Sequence, residues 1–178
     1  MSNLLEKASI LLTPTAYENG KILSVKPVQT FGSELVTNGT FDTDSDWSKT
    51  NAEISGGVAT ITVVGGAYSL ISQNITYQSG KIYKLTAQVQ GTSGKACTFF
   101  DNSSNIGGLG ISNGVINFDG SLQNVIITFT ANSNSNQLLV VRNGGGDYSF
   151  TIDNVSVKEV IDADFDFTRN SSATRVNS

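Results

Sequence analysis

A chain of 178 residues, 38% of them hydrophobic, is long enough for one domain of ordinary size with a true core. Its net charge of −4 and the lack of any basic run argue against nucleic acid as a partner, and no apolar stretch approaches the roughly 18 residues that would span a bilayer. With no His and a single Cys, the chain cannot build Ser-His-Asp or Cys-His catalysis, His- or thiolate-ligated zinc, or an intrachain disulfide.

Residues 1–30 read as a first unit. Met1-Ser-Asn-Leu-Leu-Glu-Lys7 lacks the basic-then-apolar order of a signal peptide. Only residues 3–12 hint at a helical period. Further on, Glu18-Asn-Gly-Lys21 carries Asn-Gly, the dipeptide that suits a two-residue hairpin because both turn positions need positive φ. Pro14 and Pro27 point to edge or irregular pairing around it.

Residues 31–160 read as an antiparallel β-sandwich. Strands are predicted at Val58–Val64, Tyr68–Ile75, Lys81–Gln90, Ala96–Phe100, Val125–Thr130, Gln137–Arg142 and Ser149–Val160. In Lys81–Gln90 the alternation puts Tyr83, Leu85, Ala87 and Val89 on the core face, with Lys84, Thr86, Gln88 and Gln90 opposite. Alternation elsewhere assigns Phe41, Val58, Ile61, Val63, Ile127, Phe129, Leu139, Val141, Ile152 and Val155 to the core. The 18 glycines fall largely between these runs, as turn residues should. Cys97 reads as a buried small apolar residue. Residues 161–178 form a last unit, in which Phe165 and Phe167 alternate with Asp164, Asp166 and Thr168, and are expected to pack with residues 1–30.

Two stretches carry a resemblance. Leu35-Val-Thr-Asn-Gly-Thr-Phe-Asp42, with Trp47 behind it, and Phe150-Thr-Ile-Asp-Asn-Val-Ser-Val157 resemble the opening and closing strands of carbohydrate-binding modules of the galactose-binding, jelly-roll type. The resemblance implies an all-β jelly-roll sandwich whose two terminal strands lie side by side. In such modules a structural calcium often joins those strands, and the matching positions are Asp42 and Asp153, with Asp42 standing where Glu is commoner. The spacing of Asp42, Asp44, Asp46 and Glu53 also matches an EF-hand loop, but Trp47 occupies the position that needs Gly. Separately, Leu4–Tyr17, Gly20–Pro27 and Asp164–Asn177 resemble segments of phage virion proteins of the fibre and appendage kind.

Together these imply a non-enzymatic virion structural protein. It would form the attachment part of a head or tail fibre, made in the host cytoplasm and exposed on the particle. It would dock to other virion proteins through residues 1–30 and 161–178, in a homo-oligomer with a trimer favoured. The alternative is an adhesin module that recognises a host surface glycan. A small polysaccharide-degrading enzyme comes third, since no Asp or Glu stands where its pKa would be raised. For sugar binding the candidates are Trp47, Tyr68 and Tyr148 as stacking rings and Arg142 and Asn102 as polar partners. Core packing is the stronger reading of Trp47, and Tyr148 is the more interesting ring because it lies beside the glycine-rich Gly144–Asp147 loop.

Overall fold

The computed structural model describes residues 17–18, 21–22, 30–101, 106, 114–131 and 137–161. Tyr17–Glu18 (β1) and Lys21–Ile22 (β2) pair antiparallel with Glu18 opposite Lys21, the register expected of a two-residue Asn-Gly connection.

Gln29–Asp162 forms a compact unit of its own. Its strands are Thr30–Glu34 (β3), Ser48–Thr50 (β4), Ala52–Ser55 (β5), Val58–Val63 (β6), Leu70–Gln73 (β7), Ile82–Gly91 (β8), Ala96–Phe100 (β9), Val115–Asn117 (β10), Gln123–Thr130 (β11), Leu138–Asn143 (β12) and Tyr148–Ile161 (β13). Every pairing is antiparallel, and no α-helix occurs among the described residues. One sheet has the order β10-β9-β12-β7-β4; the other has β11-β8-β13-β6-β5, with β3 also on β13. The fold is an all-β jelly-roll sandwich.

The core lies between the sheets. On β8, Tyr83, Leu85, Ala87 and Val89 are buried and Lys84, Thr86 and Gln88 half-buried, as the alternation predicts. Two core assignments need correction. Val58 is only half-buried, because Ala59, Ile61 and Val63 share the inner face of β6. On β12 the inner face belongs to Leu138 and Val140; Leu139 is half-buried, and Val141 is buried as expected but outside the cluster between the sheets. Four consecutive apolar residues, Leu138 to Val141, leave alternation nothing to choose between, and the one-residue register inverts the strand. Cys97 is fully buried opposite Arg142 and Ile116, and burial pushes its thiol pKa well above the ordinary range. A thiol reagent should therefore leave Cys97 unmodified in the native protein and react once denaturant is added; rapid native-state labelling would contradict this burial.

The long strand β13 organises its sheet. Its first half pairs with β6 and its last residues with β3, both along one edge. Between those two partners the edge is filled by irregular chain, Leu35 to Phe41. Leu35 N donates to Val157 O (3.0 Å) and Val155 N donates to Gly39 O (2.9 Å). The two resembling segments are thus neighbours, as expected. The expected opening strand over Leu35–Asp42 is not a strand, however. Asn38 and Phe41 take φ of 51° and 53°, which breaks the pleat, and β13 bulges opposite them with Asn154 at φ 51°.

Candidate functional site

The Asn-Gly-x-Phe motif is structural. The Asn38 carboxamide Nδ2 donates to Thr43 O (2.7 Å) and Ser45 O (3.1 Å), which folds the following loop back on itself. The Asn38 carbonyl accepts from Phe41 N (3.2 Å) and from the Trp47 indole Nε1 (3.0 Å). Trp47 is buried against Phe41 with ring centroids 5.2 Å apart. Its ring is closed to a ligand, so its role is packing rather than sugar stacking.

Tyr148 is corrected in the same way. It is buried, stacks on Phe150 at 6.2 Å, and its hydroxyl lies 3.1 Å from both Ala96 O and Asn143 O. Burial raises its phenol pKa. The glycine-rich loop beside it is tied at three points. Arg142 Nη1 donates to Gly144 O (2.6 Å), Lys95 Nζ to Gly145 O (3.0 Å), and Gly65 N to Asp147 Oδ1 (2.6 Å). Arg142 is thereby committed to holding this loop. Tyr68, more than half exposed just before β7, is the one expected ring that is open to solvent. Asn102 lies outside the described residues.

Asp42 accepts from Thr40 Oγ1 (2.6 Å), and the Asp153 carboxylate accepts from Asn154 N (2.6 Å) and Nδ2 (3.0 Å). No group of three or more acidic or thiol ligands gathers among the described residues. Two carboxylates alone fall well short of the six to eight oxygens calcium takes.

The outer face of the five-stranded sheet leads to a polar groove. Across the five-stranded sheet, partners in register share a face, which places Leu70, Thr98 and Val141 in one outward row and Ser48, Ser72, Leu139 and Phe100 in the next. Leu70, Ala96 and Val141 are buried, yet they stand apart from the cluster between the sheets and form a second apolar layer. Polar pairs are set into it: Asn143 Nδ2 donates to Thr98 Oγ1 (2.7 Å), and Gln137 Nε2 lies 3.5 Å from Ser72 Oγ.

At the β4–β7 edge this face runs into a groove of about 220 Å³ lined by Thr37, Asp46, Ser48, Ser72, Gln73 and Asn74. Every lining side chain is a hydroxyl, amide or carboxylate. Gln73, buried, is fixed by Thr37 N to Oε1 (2.8 Å) and by Nε2 to Thr37 O (2.7 Å) and Asp46 O (3.1 Å). Sequence reading missed this site because its residues are common Ser, Thr, Asn and Gln, brought together only by strand pairing.

No family model and no curated protein matches the chain. Its fold is similar to solved structures. One is the N-terminal cellulose-binding domain of β-1,4-glucanase C from Cellulomonas fimi, at 15% identity and TM-score 0.55, covering 74% of this chain and 99% of that one. A CBM4 structure matches at 13% identity and TM-score 0.50 over 64% of this chain and 94% of its own. The CBM22-1 xylan-binding domain of Xyn10C from Paenibacillus barcinonensis matches at 13% and 0.50, covering 72% and 96%. At such identities the shared property is the fold: the sandwich has the architecture of carbohydrate-binding modules.

Proposed function

We propose that the sandwich is a non-catalytic glycan-binding module. What carries the reading is the β4–β7 groove: it offers hydroxyl, amide and carboxylate groups in the density that sugar hydroxyls require, on a rigid Gln73 floor. The fold supports it by analogy only. A glycan array probed with the full chain tests it. Asn74→Ala and Ser48→Arg should each lower binding by about tenfold, or about 1.4 kcal/mol, with an unchanged melting temperature. Binding that survives both substitutions would move the site elsewhere.

The virion setting is a second reading, supported by the phage-like segments Leu4–Tyr17, Gly20–Pro27 and Asp164–Asn177. Thr30 at the start of β3 pairs with Ile161 at the end of β13, and Thr30 Oγ1 donates to Ile161 O (3.0 Å). Chain enters and leaves the sandwich at one point, which suits a binding domain carried between two halves of a docking base. In this reading residues 1–30 and 161–178 contact other virion chains in a homo-oligomer. Deleting both should leave a folded sandwich that no longer assembles into particles; normal incorporation would refute it. A calcium bridging Asp42 and Asp153 is the remaining proposal, supported by the adjacency of their segments. If it is bound, chelator lowers the melting temperature and Asp153→Ala removes that sensitivity; an unchanged melting curve with chelator rules it out.

A further inference from the structure

We propose that a second groove, on the outer face of the other sheet, binds the carboxylate of a uronic-acid unit in an anionic polysaccharide. The groove measures about 200 Å³ and is lined by Phe31, Lys84, Thr86, Ser156 and Lys158. Lys84 on β8 stands directly opposite Lys158 on β13. Like charges in that position repel and destabilise the pair.

The nearby charges cancel them only in part. Glu34 is the carboxylate nearest Lys158, at 3.7 Å. Its Oε1 already accepts from Leu35 N (3.1 Å), Val36 N (3.1 Å) and Val157 N (2.8 Å), and its Oε2 from Ser156 Oγ (2.5 Å). These four donors share the Glu34 oxygens, but Glu34 keeps its charge and pairs with Lys158. Lys81 and Glu159 form their own ion pair at 2.9 Å. Lys84 has no ion-pair partner among the described residues; its Nζ sits 5.1 Å from the centre of the Phe31 ring. A chain of net charge −4 thus gathers two ammonium groups against one carboxylate, Glu34, around one recess, a local excess of positive charge carried by Lys84.

Two ammoniums facing across a groove match an anion with two oxygens. The rest of the lining selects among anions. Phe31, 40% exposed, offers an apolar surface against which a sugar ring can lie. Thr86 and Ser156 face each other in register on the same face, two positions along from the lysine pair. Ser156 Oγ donates to Glu34 and keeps its lone pairs to accept from a sugar hydroxyl. The volume suits one ring, not an extended oligosaccharide. The inference extends the glycan-binding reading to a charged sugar and borrows from it only the class of ligand.

Amide NMR titration of the full chain with trigalacturonate, neutral galactotriose and inorganic phosphate tests it. Trigalacturonate should shift Phe31, Lys84, Thr86, Ser156 and Lys158, and galactotriose should not. The affinity should fall by at least about fivefold as salt rises from about 0.05 to about 0.5 M. The double variant Lys84→Gln, Lys158→Gln should lose about tenfold or more in affinity while its melting temperature holds or rises. Phe31→Ala should weaken trigalacturonate and leave phosphate unchanged. No shift at these residues, or an equal response to galactotriose, overturns the proposal. Phosphate binding as tight as trigalacturonate and indifferent to Phe31→Ala would show a simple anion site and overturn it too. Asn74→Ala, in the other groove, should leave trigalacturonate binding intact, so the two readings fail separately.

Discussion

Gly39→Ala should destabilise the sandwich by about 3 kcal/mol or more, the upper range for forcing atoms into a packed site. A Cβ built on Gly39 would lie 2.0 Å from Val155 O and 3.0 Å from its carbonyl carbon, with Val36 Cγ1 at 3.2 Å. The obstacle is backbone, so no rotamer change relieves it. The approach is itself fixed by the hydrogen bond from Val155 N to Gly39 O. Either that bond breaks and the 35–41 segment peels from β13, or β13 shifts within its sheet. Peeling would also disturb Thr37, whose backbone N–H and carbonyl hold Gln73, and with it the floor of the polar groove. Gly145→Ala is the control: its φ is not positive and nothing lies within 4 Å of its added Cβ, so it should change stability by less than about 0.5 kcal/mol. Urea denaturation of both variants measures the contrast. A Gly39→Ala protein within about 1 kcal/mol of the parent would show that this contact yields easily.

How far the molecule can be read from its residues depends on how each one is constrained. Where alternation is clean, as in Lys84-Leu-Thr-Ala-Gln-Val89, polarity alone assigns the faces correctly, because one face of β8 meets the other sheet and one meets water. Where it is not, as in Leu138–Val141, the face is decided by long-range register with β7 and β9, which no local pattern encodes. The Asn-Gly-Thr-Phe motif is legible as a landmark but not as a conformation. Its residues act through positive φ angles and hydrogen bonds to the carbonyls of Thr43 and Ser45, not through pairing.

Aromatic residues mislead as site markers for a related reason. Tyr148 follows three glycines and reads as a ring on a free loop. The loop is in fact pinned by Arg142, Lys95 and Asp147, so the ring folds inward. The polar groove and the lysine pair belong to the opposite case. Their residues are unremarkable one at a time, and only the pairings β4–β7 and β8–β13 assemble them. In a β-sandwich the core is written locally, but recognition surfaces are made by strands far apart in sequence.

The second large effect concerns Phe41, and its informative form is a comparison. Phe41 is among the largest side chains with almost no exposure, and it packs against Trp47. Phe41→Ala should therefore cost about 3–5 kcal/mol, the usual range for emptying such a site. Phe41 also holds φ at 53°, a left-handed conformation that costs a residue with a Cβ about 1–2 kcal/mol relative to glycine. Packing against Trp47 and the hydrogen bond from Phe41 N to Asn38 O keep it there. Truncation to Ala removes the packing and keeps the strain. Truncation to Gly removes both, at the price of about 0.5–1 kcal/mol in chain entropy. Phe41→Gly should therefore be as stable as Phe41→Ala or more so, the reverse of the order seen at ordinary strand positions. Matched urea titrations of the two variants decide it. A glycine variant less stable than the alanine variant by about 1 kcal/mol would mean that residue 41 relaxes to negative φ once its ring is gone, and that the ring alone, not the surrounding turn, imposes the left-handed backbone.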